Sequence, residues 1–148
     1  MKPLDLLLLA GRLIVGGVLV YAGFSKALTP AAEFAAALAN YKLFPASALL
    51  PLAYAIPWVE IWTGLFLIAG LYTDAAAGLA AGLFLAFLGA LGTAKLRHID
   101  LASCGCFGAE TFSPQTVIKM DAALFVVAAL LVYFNRQPRG LTLDAKLN

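Results

Sequence analysis

Apolar residues in this chain come in long runs rather than in the alternation of a half-buried strand. Four stretches, at about 5–28, 48–71, 75–96 and 114–134, are dominated by Leu, Ala, Val, Phe and Gly. A hydrocarbon core about 30 Å thick requires about 20 helical residues, and each stretch meets or approaches that length. Arg12 interrupts the first, while the second contains Pro51, Pro57 and Glu60. The third opens with twenty residues that carry no charge. The fourth is apolar only from Ala122 onward, so Lys119 and Asp121 are expected near a headgroup level. The pattern predicts an all-α integral membrane protein, a single domain over 1–148 built as a bundle of four transmembrane helices.

The edges of these runs carry helix signals. Thr29-Pro30 follows the first, Thr73 and Asp74 are candidate caps for the third, and Ser113-Pro114 starts the fourth. Residues 31–41 form a short amphipathic stretch with Phe34, Leu38 and Tyr41 at helical spacing, expected to lie along the surface before the chain turns at Pro45. Gly78, Gly82, Ala86 and Ala90 recur every four positions, and Gly16 and Gly23 fall seven apart. Small residues let backbones approach closely, within one chain or across a homodimer.

Composition strengthens the membrane reading. The 148 residues are 63% hydrophobic and 12% charged, against roughly 25% charged in an average soluble domain, and mean hydropathy is +0.93. A bilayer accepts such a surface because apolar side chains can face lipid. Ten scattered basic residues and a net charge of +2 form no basic patch, which argues against nucleic acid as a partner. The N-terminus superficially resembles a signal peptide, but its apolar part is too long and Arg12 breaks it, so a retained first helix is expected. Basic residues divide almost evenly between the two sides of the predicted bundle, and the positive-inside rule barely discriminates. Disulfide chemistry persists outside the cytosol, which favours cytoplasmic termini and an extracytoplasmic loop around Cys104.

Two charges lie deep in the predicted spans. Glu60 sits mid-span, where a carboxylate is costly without a partner or a watery cavity. Arg12 keeps its proton and needs a partner or a route to the headgroups. Glu60 with Lys26 or with Arg12 are the natural pairings, Lys26 for a functional pair and Arg12 for a purely structural one. Pro57, three residues before Glu60, removes a helical hydrogen bond and is expected to kink the second span. Trp58 and Trp62 flank the same region, either as packing or as the wall of a cavity for a flat hydrophobic ligand such as a quinone.

The only cysteines, Cys104 and Cys106, lie between the third and fourth spans in a segment reading His98-Ile-Asp-Leu-Ala-Ser-Cys104-Gly105-Cys106-Phe-Gly108. Residues two apart sit near the upper limit of the Cα separation that a disulfide bridges, and Gly105 supplies the backbone freedom to close it. A strained bridge is reducible and suited to exchange. Lys95, Arg97 and, when charged, His98 favour a thiolate, and Asp100 opposes it. Three readings stand: thiol–disulfide exchange, Cu(I) handling with His98 as a third ligand, and structural cysteines in a non-catalytic assembly factor. No metal is assigned, and whether the chain is an enzyme is left open.

Taken together, Gly11-Arg12, Ala22-Gly23-Phe24-Ser25-Lys26, Asn40-Tyr41-Lys42-Leu43-Phe44-Pro45, Pro57-Trp58-Val59-Glu60 with Gly64, and Cys104-Gly105-Cys106-Phe107-Gly108 resemble the MauE family of methylamine-utilisation membrane proteins, within the wider DoxX-like group. The resemblance implies a four-helix protein of the bacterial inner membrane. It implies an accessory role in maturing a disulfide-containing amine dehydrogenase, beside a thioredoxin-like or disulfide-containing extracytoplasmic partner. The wider group also includes proteins associated with thiosulfate:quinone oxidoreduction, and fold alone does not choose among these roles.

Overall fold

A computed structural model describes residues 3–98 and 113–135 of the chain. The described residues form helices α1 (Pro3–Leu28), α2 (Ala31–Asn40), α3 (Ala46–Ala69), α4 (Thr73–Leu96) and α5 (Pro114–Asn135). All but the short α2 are long and apolar enough to cross a membrane. Large apolar side chains stand exposed on each of those four, among them Leu7, Tyr21, Trp58, Trp62, Leu85, Val126 and Tyr133. A water-soluble monomer would not present so continuous an apolar surface; lipid covers it. The protein is a multi-pass membrane protein built as a bundle of four spans.

Glycine sets how α1 meets α3. A Cβ on Gly64 would lie 2.5 Å from the Gly16 carbonyl oxygen, and one on Gly23 would lie 2.6 Å from that of Pro57. Gly16 opposite Gly64 and Gly23 opposite Pro57 make the two helices antiparallel, with backbones nearly touching. Without a hydrophobic drive between helices in lipid, such van der Waals proximity is a main source of association. The stripe on α4 is used differently. Gly78, Gly82 and Ala86 are exposed, and a Cβ on Gly78 or Gly82 would meet nothing within 4 Å. Tight packing within the chain is therefore the work of α1 and α3.

One core cluster joins Val15 and Leu19 of α1, Leu67 of α3, Ala77, Ala80 and Phe84 of α4, and Leu124, Ala128 and Leu131 of α5. A second, toward the other end of the bundle, gathers Ala22, Tyr41, Leu91, Ala94 and Val117, with Phe87 and Ile118 against it. The amphipathic stretch at 31–41 is helical to Asn40 and packs Phe34 and Leu38 against Leu49, Leu52, Ala53 and Ile56 of α3. Its apolar face thus covers the N-terminal half of α3.

The observed ends differ from the expected ones by about two residues on α1, α3 and α4, for local reasons. α3 stops at Ala69 rather than near Leu71 because Gly70 turns left-handed at φ 73°. The amides of Gly70 and Leu71 then return to the Phe66 carbonyl, a glycine-dependent helix stop. Pro51 and Pro57 both lie inside α3, which runs through them without a break. Thr73, expected as a cap, is instead the first residue of α4, preceded by Tyr72 in the left-handed region.

Candidate functional site

The register of α1 on α3 brings a cation to Glu60. Lys26 lies one turn beyond Gly23, and helical side chains lean toward the N-terminus of their helix, which carries its ammonium back toward α3. Lys26 Nζ donates to both carboxylate oxygens of Glu60, at 3.0 Å to Oε1 and 2.9 Å to Oε2. Lys26 is 2% exposed and Glu60 1%, so the pair is withdrawn from both lipid and water. The same ammonium lies 5.2 Å from the centroid of the Phe87 ring on α4, within the range of a cation–π contact. Three helices meet at this nitrogen.

Arg12 is not Glu60's partner. The two basic residues of α1 are fourteen positions apart, about 21 Å along a helix, and only Lys26 is in register with the carboxylate. Arg12 is buried and its Nε donates to the Leu67 carbonyl at 3.2 Å. Leu67 belongs to the last turn of α3, whose carbonyls lack helical partners and carry the negative end of the helix dipole. Arg12 thus ties α1 to the end of α3.

Pro57 and Trp58 are not brought to one face. Pro57 is buried against α1 through Gly23, whereas Trp58 is 57% exposed and points outward with Trp62. Trp62 in turn lies 6.1 Å from Phe66, ring centroid to centroid. His98 is exposed. Among the described residues no three of His, Cys, Asp and Glu gather as a metal site. Cys104 and Cys106 lie outside the described residues; they belong to the connection between α4 and α5.

One buried charge escaped the sequence reading. Asp121, expected near a headgroup level, is 2% exposed inside the bundle, while Lys119 faces outward. The signal was the period of α5: Val117, Asp121, Leu124, Ala128 and Leu131 fall at helical spacing and are all buried. Hydropathy summed along a segment hides which face a single carboxylate takes.

These features define a class: a small four-span membrane protein whose helices are fastened by a buried lysine–glutamate pair and whose cysteine pair lies in the connection between its last two spans. The family model for "Methylamine utilisation protein MauE" matches residues 4–134, and the chain belongs to that family. It is 37% identical over 141 residues to the methylamine utilization protein MauE of Methylophilus methylotrophus, across 91% of this chain and 72% of that protein. No solved structure matches the chain.

Proposed function

We propose that the protein is a membrane thiol–disulfide component that exchanges electrons between Cys104/Cys106 and a thioredoxin-like or disulfide-containing partner outside the cytoplasm. The observation that carries this reading is the placement of the chain's only two cysteines, one glycine apart, in the connection between α4 and α5. A thiolate of one cysteine attacks a sulfur of the partner's disulfide and forms a mixed disulfide. The second cysteine then attacks the first, releasing the partner as a dithiol and leaving Cys104–Cys106 bridged. Two electrons and two protons pass to the partner, and the reverse steps oxidise a partner dithiol.

In this reading the termini are cytoplasmic and the α4–α5 connection is extracytoplasmic, where disulfides persist. The relative's name, methylamine utilization protein, links that protein to methylamine use, and in this reading the partner is a disulfide-containing amine dehydrogenase under maturation. The experiment is alkylation trapping of free thiols in cells, comparing wild type with C104S and C106S. The pair is expected to cycle between reduced and oxidised forms, with either substitution altering oxidation of the partner. A pair that never changes redox state, with both variants leaving the partner unaffected, would overturn the redox reading.

A further inference from the structure

The cations of this chain are scattered in sequence, yet four of them emerge at one end of the bundle. Tyr41, Ala94 and Val117 belong to one buried cluster, together with Ala22 and Leu91. Lys42 follows Tyr41 just past the end of α2, and Lys95 follows Ala94 in the last turn of α4. Lys119 lies two residues beyond Val117, in the second turn of α5. Arg97 adds a fourth cation immediately after α4. All four side chains are exposed, and among the described residues none is held by a carboxylate.

Each of these cations stands beside an exposed apolar side chain. Lys42 precedes Leu43 and Phe44, Lys95 and Arg97 bracket Leu96, which is 82% exposed, and Lys119 precedes Met120. They also sit where spans end, since the spanning part of α4 stops at Leu96 and that of α5 starts at Gln115. A phospholipid matches both halves of this pattern: its phosphate meets the cation on its long stem, and its acyl chains meet the apolar neighbour. A soluble partner with an acidic face would satisfy the cations and leave the apolar side chains in water. Long-range attraction of such a partner is weak as well, because Glu33 is exposed on α2 and the connection from α4 to α5 carries Asp100 and Glu110. Three carboxylates then nearly offset four cations at a distance, whereas contact with a phosphate is local. A second copy docked on this end would set like charges against each other.

We propose that Lys42, Lys95, Arg97 and Lys119 form a binding surface for anionic phospholipid headgroups at this end of the bundle. The inference stands without the thiol reading. Its test is the unfolding midpoint of the detergent-solubilised protein as short-chain phosphatidylglycerol, or phosphatidylcholine of the same chain length, is added. A ligand that binds only the folded state raises the midpoint with concentration, so phosphatidylglycerol should raise it well beyond phosphatidylcholine. That difference should shrink as salt is raised, a readout on wild type that requires no variant. K42Q/K95Q/R97Q/K119Q should unfold as wild type does without added lipid and lose the phosphatidylglycerol-dependent shift. R136Q/R139Q, at positions that follow the other end of α5 in the sequence, should keep it. Equal shifts with the two lipids, a shift that survives the fourfold substitution, or one that R136Q/R139Q abolishes as completely would overturn the proposal. A shift produced by polyglutamate but not by phosphatidylglycerol would overturn it in favour of an acidic protein partner.

Discussion

Glu60 lies deep in its span, and its side chain is too short to reach water as Lys and Arg can on their long stems. It therefore requires a partner from another helix, and Lys26 meets that requirement with two short hydrogen bonds. Removing one member of a buried pair strands the other and costs about 3–5 kcal/mol, whereas replacing both with groups of similar shape is often neutral. E60Q and K26M should each lower the unfolding midpoint of the detergent-solubilised protein, and E60Q/K26M should recover most of the loss. Equal stability of all three with wild type would show that the contact contributes nothing. That Glu60 needs a cation was legible in the sequence. Which cation it takes was not, because depth alone treats Arg12 and Lys26 alike and the choice rests on the glycine register. Asp121 was missed for a related reason: segment hydropathy records that a charge is present but not which way it faces.

The helices themselves were read from their apolar runs to within about two residues, since span length and composition are one-dimensional properties. Their contacts were less evident. The sequence offered two faces of small residues, the α4 stripe and Gly16 with Gly23 on α1, for packing within the chain or across a dimer, and the contacts that tolerate no side chain are Gly16, Gly23 and Gly64 on α1 and α3. Spacing identifies a face that permits close approach; it does not say whether a neighbour occupies it. Substituting Gly64 with Ala should force α1 and α3 apart and cost about 1–3 kcal/mol as overpacking does, while Gly82→Ala, whose Cβ would meet nothing within 4 Å, should be tolerated. Thermal unfolding of the two variants in the same detergent checks this. Equal effects would mean that the α1–α3 approach does not limit stability. Separation of α1 from α3 would also pull Lys26 off Glu60, so G64A should share part of its penalty with K26M rather than add to it.

At the scale of the whole molecule, four spans place both ends of the spanning bundle on one side of the membrane and the α4–α5 connection on the other. A membrane-impermeant thiol reagent applied to intact cells after mild reduction should label Cys104 and Cys106. Labelling only in broken cells would put that connection in the cytosol and remove the compartment on which disulfide exchange depends. The family, the fold class and the cysteine pair were all visible from the chain alone, because each resides in composition, order or a short motif. The meeting of Lys26, Glu60 and Phe87 was not, since it depends on three helices meeting at one height. The central claim, that Cys104 and Cys106 are a redox couple, is tested most directly by titrating the purified protein against thiol redox buffers and counting free thiols by mass. The account predicts one two-electron transition within the 104–106 pair at a potential above about −300 mV, the range below which structural disulfides typically fall. Two thiols that remain reduced across the whole series, or a bridge that resists reduction below that range, would contradict it.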